Sequence, residues 1–287
     1  MTSSTARSER LPVRGWRDIR FELGNATLSR SPRVAVLAQW STRPRMTKSF
    51  CTLVHELQSF GYRVVVCSAS ADAGSLEWDD SVDETRLIVL RRRNLGYDFG
   101  SWRAALALLP ELVMADKVLL ANDSMAGPFA SLGGLLADFD RTTADVWSLT
   151  DSSQLDHHLQ SYFLGFDGGV LRERPVRAFF AGVRHETNKR RIIIRNEIGL
   201  SQLLRQEGFA LESAFPHQRF VKRGQNPVIL GWRRLLEAGF PFLKREILRD
   251  ASVAPDGSSA RVVIRSLFGI DVNAWVDDVS SEETASG

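Results

Sequence analysis

Short apolar runs of strand length alternate with longer amphipathic stretches through most of the chain. Runs rich in β-branched and aromatic residues predict strands at 33–40, 62–70, 85–92, 116–123, 144–151, 160–166 and 190–194. Apolar residues at helical spacing predict helices at 46–61, 99–110, 168–181, 197–207, 228–238 and 240–249. This alternation is typical of an α/β fold with a mainly parallel, doubly wound sheet flanked by helices.

Both ends of the chain lack this pattern. The first 30 residues are rich in Ser, Thr and Arg, and the last eleven are acidic without an apolar face. A further break at 251–260 precedes a short run, 261–270, whose β-branched residues predict a strand. We therefore expect a polar N-terminal tail at 1–30, a single folded domain at 31–250 and a partly disordered C-terminal extension at 251–287, with flexible ends.

Composition narrows the class of protein. Of 287 residues, 44% are hydrophobic and 25% are charged, as in soluble globular proteins. A net charge of +3 is too small to indicate a nucleic-acid partner. The two cysteines, Cys51 and Cys67, have no CxxC partner, which disfavours structural zinc and disulfides and favours the cytoplasm. Without a secretory apolar region or a membrane-length apolar stretch, we expect any membrane contact to be peripheral.

Polar clusters follow four of the predicted strands. Gln39 ends the first, the segment 91–100 follows the third, Asp123 follows the fourth, and Asp151 ends the strand at 144–151. Any one of these clusters is typical of an ordinary turn. Because ligands bind beyond the carboxyl ends of the strands in such sheets, the four together predict one ligand pocket at this edge.

The chemistry at this edge points to a phosphorylated ligand. Asp123 is the candidate metal ligand, because Mg²⁺ binds one or two carboxylates together with substrate phosphates. Arginines 91–93 could neutralise a diphosphate. There is no P-loop, GxGxxG, GxSxG or HExxH motif. The adjacent His157 and His158 cannot face the same way, which disfavours a metal site formed by that pair.

Long segments of the chain resemble a known family. They are RRRNLGYDFGSWRAAL (91–106), LLANDSMAGPF (119–129), SLTDSSQLDHHLQSYFLGF (148–166), NEIGLSQLL (196–204) and NPVILGWRRLLEAGFPFLKREIL (226–248). They resemble the rhamnan synthesis protein F family, glycosyltransferase-like proteins of bacterial cell-surface polysaccharide assembly. The resemblance runs in order from about residue 33 to about residue 249.

This resemblance implies a GT-A-like, Rossmann-like glycosyltransferase domain at 31–250 that binds a nucleoside-diphosphate sugar. The donor site is then expected to include Gln39, Arg93, Asn94, Gly96, Tyr97, Asp98, Asn122, Asp123 and Ser124. Asp123 occupies the position of a metal-binding DxD motif, which implies Mg²⁺ or Mn²⁺. The segment Asn122–Ser124 keeps one carboxylate where that motif has two.

The resemblance also implies an inverting mechanism in which Glu197 is the general base. Glu197 is expected to open a helix directly after the strand at 190–194, and Asp151 is the alternative base. The implied donor is dTDP-rhamnose, and the implied acceptor is a polysaccharide or a lipid-linked glycan. Because one carboxylate is missing, a non-catalytic binding or scaffolding subunit of a polysaccharide assembly complex is the alternative hypothesis.

One segment allows a second interpretation. Residues 231–248 combine basic side chains with large apolar ones. They could lie on an anionic membrane surface near a lipid-linked acceptor. The alternative is an ordinary amphipathic segment that packs against the core.

Overall fold

The computed structural model describes residues 9–10, 19–25, 31–70, 74–186 and 188–276. Its strands are β1 (Glu9–Arg10), β2 (Arg20–Leu23), β3 (Arg33–Gln39), β4 (Arg63–Ser68), β5 (Leu87–Arg91), β6 (Lys117–Asn122), β7 (Met125–Ala126), β8 (Val146–Ser152), β9 (His158–Leu159), β10 (Phe163–Asp167), β11 (Arg184–His185), β12 (Leu211–Phe215) and β13 (Leu243–Lys244).

Ten α-helices are found within the described residues. They are α1 (Lys48–Ser59), α2 (Tyr97–Leu108), α3 (Gly133–Arg141), α4 (Arg174–Ala181), α5 (Lys189–Ile192), α6 (Gly199–Gln206), α7 (Pro227–Leu230), α8 (Trp232–Glu237), α9 (Arg245–Arg249) and α10 (Ala260–Phe268). A π-helix, Ile193–Ile198, joins α5 to α6. Short 3₁₀ helices occur at Glu84–Arg86, Pro110–Met114, Val170–Arg172, His217–Arg219, Ala251–Val253, Gly257–Ser259 and Val272–Trp275.

A nine-stranded mixed sheet forms the centre of the protein. Its order is β12-β8-β10-β6-β3-β4-β5-β2, with β9 paired to β8. The strands β12, β8, β6, β3, β4 and β5 point the same way, whereas β10 and β2 run antiparallel to their neighbours. The predicted α/β class, with a mainly parallel sheet flanked by helices in a single domain, is confirmed.

Helices cover both faces of the sheet because its strands are apolar on both sides. In β3, Leu37 packs into the core beneath α1 and α3, while Val36 points into the core beneath α2, α4 and α6. Helix α1 buries the face that the sequence predicts, including Phe50 and Leu57. Thr47 caps this helix by accepting a hydrogen bond from the Phe50 N–H at 3.3 Å, which satisfies one of its unpaired first-turn donors.

The C-terminal part of the described chain forms a third layer. Helices α8, α9 and α10 surround an apolar cluster that contains Phe129, Trp232 and Trp275. Strand β13 pairs antiparallel with β7, the short strand that follows β6 in the chain. This pairing attaches the third layer to the segment at the end of β6. The pairing brings residues far apart in the sequence to the carboxyl end of the central strands.

Two predicted strands are wrong. The run 190–194 is helical, in α5 and the π-helix, and β12 takes the edge position beside β8 instead. The run 261–270 is largely helix α10, in which Ala260, Val263 and Ile264 are buried while Val262 is 69% exposed. In both places β-branched residues suggested a strand, and short apolar runs do not distinguish a strand from a helix. In α10 the buried positions have helical spacing, whereas no residue of 190–194 is buried.

The N-terminal segment contributes to the sheet. Strand β2 lies within the segment 1–30 that the sequence predicts as a tail, and it pairs antiparallel with β5. Glu22 of β2 bonds the buried Arg91 at 2.6 Å, which fixes this edge. The rest of the predicted N-terminal tail, apart from residues 9–10 and 19–25, and residues 277–287 of the predicted C-terminal extension lie outside the described residues.

The described helices include none that is both long enough and apolar enough to cross a membrane. The large apolar side chains of the segment 231–248 are buried inside the protein. They are Trp232, Leu235, Leu236, Phe240, Phe242 and Leu243. These side chains are part of the core and are not presented to a membrane surface.

We expect Gly100→Ala to disturb the start of α2 and destabilise the protein by about 2–4 kcal/mol. A Cβ on Gly100 would lie 2.1 Å from the Leu95 carbonyl oxygen, which is backbone and cannot simply rotate away. Gly134→Ala in α3 is the matched control, because its Cβ would meet nothing within 4 Å. We expect this control to be neutral or stabilised by about 0.5–1 kcal/mol. Urea denaturation measures both variants, and equal stabilities would contradict the close approach.

Candidate functional site

The candidate site lies where the chain reverses its order across the sheet. From β3 the chain builds outward through β4 and β5 and then returns to pair β6 on the other side of β3. In this parallel register Ala38 lies opposite Asn122, so both strands end together. Such a switch point leaves a crevice between the loops that follow the two strands, and ligands of open α/β sheets bind there.

A pocket of 340 Å³ opens beside the end of β6. Its wall comes from the first turn of α2, the loop after β6, the segment 160–162, the π-helix, α7 and the β13–α9 junction. The polar side chains of the wall belong to Tyr97, Asp98, Asn122, Ser124, Gln160, Ser161, Glu197, Asn226, Lys244 and Glu246. Carboxylates, amides, hydroxyls and an ammonium group therefore share one pocket.

Asp98 is placed by a tight turn at the start of α2. Gly96 and Tyr97 both have positive φ, 79° and 52°, which is unfavourable for a residue with a large side chain such as tyrosine. The turn points α2 at the pocket, and the Asn122 side-chain N–H donates to Asp98 Oδ2 at 2.7 Å. Burial, followed by the nearby charge of Asp123, raises the pKa of Asp98 to about 7.

Asp123 closes the end of β6 onto the loop after β3. Its Oδ2 accepts the Trp40 N–H at 2.9 Å, and its own N–H donates to the Ala38 carbonyl at 3.2 Å. Burial raises the pKa of this carboxyl, although the positive charge of Arg245 opposes the shift. The residue lies beside the pocket rather than among its lining residues.

Glu197 reaches the pocket from the π-helix and not from the first turn of a helix after a strand. Its Oε1 accepts hydrogen bonds from the Ser161 N–H at 2.8 Å and the Ser161 hydroxyl at 2.6 Å. Its Oε2 lies 3.9 Å from His158 Nε2. The expected structural position was wrong, but the side chain does line the same pocket as Asp98. Short π-helices frequently occur at functional sites.

Lys244 is a site residue that the sequence analysis did not single out. It comes from β13, and its Nζ donates to the Ser124 hydroxyl at 3.2 Å. The next residue, Arg245, donates its backbone N–H to the Ser124 carbonyl at 3.1 Å and its guanidinium to the Thr47 hydroxyl at 3.0 Å. The only sequence signal was the basic, aromatic segment 231–248, and nothing in it indicates pairing with β7.

Other predicted donor-site residues lie apart from this pocket. Gln39 is buried, and its side-chain oxygen accepts the Ser68 hydroxyl hydrogen at 2.7 Å. Arg93 and Asn94 are exposed in the loop before α2 and do not belong to the lining. Gly96 shapes the turn without lining the pocket. The fold therefore brings only part of the predicted set together in the pocket wall. These residues are Tyr97, Asp98, Asn122, Ser124 and Glu197.

The arginines at 91–93 have mostly structural contacts. Arg91 is buried against Glu22 and also donates to the Gly74 carbonyl at 2.8 Å. Arg92 donates to the Ser101 hydroxyl at 2.7 Å and to the Leu95 carbonyl. Both side chains therefore brace the sheet edge and the turn before α2.

Asp151 belongs to a separate cluster with two histidines. Its Oδ2 lies 2.6 Å from His157 Nε2 and 2.9 Å from His217 Nδ1, and its Oδ1 accepts the His217 N–H at 2.7 Å. Although burial alone would raise the pKa of Asp151, these hydrogen bonds lower it below its usual value. His158 points elsewhere, toward the Asp156 carbonyl, so the adjacent histidines do not share a site.

The donor set at Asp123 is compatible with a divalent cation bound through a phosphate. The negative charge of Asp123 disfavours ionisation of Asp98, a repulsion that a cation would relieve. Among the described residues, however, three metal-ligating side chains approach one another within 4.8 Å only at Asp151, His157 and His217. Any ion at Asp123 would therefore need ligand atoms from the substrate.

Comparison with known proteins identifies the family. A family model described as rhamnan synthesis protein F matches residues 64–280, well over half of the chain. The chain belongs to the rhamnan synthesis protein F family. The match includes Asp98, Asp123 and Glu197, and it also covers the Asp151 cluster.

Two similar proteins show how much of the chain the sequence similarity covers. The chain is 30% identical over 195 residues to the virulence protein VirA of Vibrio anguillarum, which covers 57% of this chain and 62% of the relative. It is 27% identical over 213 residues to the uncharacterized protein y4gN of Sinorhizobium fredii, covering 72% of this chain and 55% of the relative. The matched region thus spans little more than half of each relative's length.

In this rhamnan synthesis protein F member, we expect Asp98→Asn to be more stable than wild type at pH 8 but not at pH 4. The folded pKa of about 7 exceeds the usual 3.8, so the folded state holds an extra proton between these values. The contribution of Asp98 to wild-type stability therefore falls as pH rises through that window. Asparagine keeps an oxygen for the Asn122 hydrogen bond and removes the charge.

The expected gain at pH 8 is about 2–4 kcal/mol in urea denaturation with EDTA present. Asp80→Asn is the control, because Asp80 is exposed and its replacement should leave the pH profile unchanged. A parallel pH dependence in wild type and Asp98→Asn would show that Asp98 does not titrate in the expected range.

Proposed function

We propose that the protein is a glycosyltransferase that moves a sugar from a nucleoside diphosphate to a glycan or lipid-linked acceptor in polysaccharide synthesis. The observation that carries the proposal is the convergence of Asp98, Glu197 and Lys244 in one pocket at the switch point of the sheet. Family membership supports the polysaccharide setting. The donor that the resemblance implies is dTDP-rhamnose.

The β13–α9 side of the pocket suits a diphosphate. Lys244 places its side-chain amine beside Ser124, and Arg245 lies close enough to Asp123 to stabilise its carboxylate. A departing diphosphate gains negative charge as its bond to the sugar breaks, and fixed cations stabilise that charge. Asp123, together with Asp98, is the group that would hold Mg²⁺ or Mn²⁺ with the phosphate oxygens, and such an ion would supply further positive charge.

The part of the pocket wall that contains Glu197 suits deprotonation of the acceptor hydroxyl. Ser161 fixes Glu197 through two hydrogen bonds to the same oxygen, Oε1. In the proposed step Glu197 Oε2 takes the acceptor hydroxyl proton, the acceptor oxygen bonds the anomeric carbon, and the bond to the diphosphate breaks. A single displacement of this kind inverts the anomeric configuration.

Asp151 is a weaker choice for the base. Its Oδ1 already accepts a hydrogen bond from the His217 backbone N–H, and its Oδ2 contacts two imidazoles. It also lies outside the lining of the pocket that holds Glu197. The non-catalytic alternative differs from the proposed enzyme in two measurable respects. A scaffolding subunit would need neither nucleotide binding nor Glu197 as a base.

We expect the full chain to bind dTDP, UDP or GDP, with tighter binding when Mn²⁺ is present. Lys244→Ala should weaken nucleotide binding about tenfold or more, because a charge-assisted contact with phosphate contributes about 1.5–3 kcal/mol. Lys222→Ala is the matched control, because Lys222 is exposed and lies outside the pocket lining. Calorimetric titration measures each affinity. Absence of binding for all three nucleotides would favour the scaffolding alternative.

We expect Glu197→Gln to bind nucleotide normally and to lose sugar transfer by about 10²–10⁴-fold. Glutamine keeps an oxygen for the Ser161 hydrogen bonds but cannot take the proton. Glu207→Gln at the exposed end of α6 is the control for the removal of one negative charge. Transfer from dTDP-rhamnose and other nucleotide sugars is measured by release of the nucleoside diphosphate. Wild-type transfer by Glu197→Gln would reduce Glu197 to an anchor for Ser161.

A further inference from the structure

We propose that Asp151, His157 and His217 form a binding site for a divalent transition-metal cation, separate from the sugar-nucleotide pocket. One oxygen of Asp151 lies 2.6 Å from a nitrogen of His157 and 2.9 Å from a nitrogen of His217. All three ligand atoms lie within 4.8 Å of one another. Asp151 and His217 are buried, and His157 is half-exposed. The proposal does not depend on the proposed glycosyltransferase activity.

The carboxylate of this proposed metal site is held in place by the fold. Asp151 is in β8, opposite Leu159 of β9. Its second oxygen, Oδ1, accepts the His217 backbone N–H at 2.7 Å, and this fixes the plane of the carboxylate. A metal ligand oriented by such a hydrogen bond loses little freedom on binding.

The loop that carries His157 is attached to α6. Arg205 donates to the His157 carbonyl at 2.9 Å, and Gln202 donates to the Asp156 carboxylate at 2.8 Å. The His157 N–H also donates to Asp156 at 2.8 Å. These contacts preorganise the exposed ligand as well as the two buried ones.

The ligand spacing fits a first-row metal after a small adjustment. Ligand atoms at about 2.0–2.2 Å from a tetrahedral ion lie about 3.3–3.5 Å apart. The two Asp151–histidine contacts are shorter than this, at 2.6 and 2.9 Å, so they must open by roughly 0.8 and 0.5 Å respectively. The half-exposed His157 can provide much of this movement.

The ligand types select the class of cation. Two imidazoles and one carboxylate suit Zn²⁺, Fe²⁺ or Mn²⁺ better than Mg²⁺, which prefers oxygen ligands. A separate pocket of 410 Å³ is lined by Ser153, His157, His217 and Arg223 among others. This pocket provides space for water or a small ligand at a remaining coordination position, as in metal sites with three protein ligands.

Metal binding at His157 requires the other tautomer of this imidazole. Arg205 Nη2 lies 3.0 Å from His157 Nδ1 and donates to it, so the His157 proton is on Nε2, facing Asp151. Coordination through Nε2 moves that proton to Nδ1, and the exposed Arg205 Nη2 must then release this nitrogen.

Zinc titration of the chelator-treated, tag-free full chain tests the site. We expect one equivalent of Zn²⁺ to bind, Mn²⁺ to bind more weakly, and Mg²⁺ not to compete. His157→Gln should weaken Zn²⁺ binding about tenfold or more. His55→Gln is the matched control, because His55 is exposed and its Nδ1 bonds the Ser81 carbonyl, away from the proposed ligands. No Zn²⁺ binding, equal binding by His157→Gln, or equal affinity for Mg²⁺ would overturn the proposal.

A further measurement covers the case in which a variant alters folding. Co²⁺ in place of Zn²⁺ should give the visible absorption bands of a site with nitrogen and oxygen ligands, and these bands should be lost in His157→Gln. Co²⁺ bands that persist in His157→Gln would contradict the assignment.

Discussion

The parallel pairing of β3 with β6 is the constraint on which the candidate site depends. Because Ala38 lies opposite Asn122, the two strands finish side by side and their following loops diverge to either side of a crevice. The hydrogen bond from Trp40 to Asp123 then ties one loop to the other. A shift of this register by one residue would turn Asn122 away from Asp98 and reverse which side chains enter the core.

Acidic groups can remain at this junction because each has specific polar partners. Asn122 donates to Asp98, the Trp40 backbone donates to Asp123, and Ser161 donates twice to Glu197. Desolvation nevertheless raises the pKa values of the two aspartates, because negative charge is unfavourable away from water. A cation beside these carboxylates, or a ligand that donates a proton to one of them, would relieve this cost.

Sequence periodicity was sufficient for most of the sheet because the central strands are apolar on both faces. It identified β3, β4, β5 and β6 and placed Asp98 and Asn122 near the ends of β5 and β6. It failed at α5 and α10, where β-branched residues occupy helices. It also missed β2 and β12, edge strands with weaker apolar patterns.

The site residues that sequence reasoning missed share a different cause. Lys244 reaches Ser124 across 120 positions, and His217 reaches Asp151 across 66. Neither has a local motif, because its partner is supplied by another part of the chain. The sequence indicates Asp151 as an alternative base, and it places His157 in an adjacent pair that cannot form a metal site by itself. Only the folded chain shows that they lie together with a third residue.

The pairing of β13 with β7 has a consequence for how the protein is made. Synthesis proceeds from the N-terminus, and the central strands β3 to β6 are complete long before Lys244 emerges. Until then Ser124 lacks the lysine and the backbone N–H of Arg245 that contact it in the finished protein. The growing chain can thus assemble these central strands first, while the pocket acquires its cationic wall only after Lys244 has been synthesised.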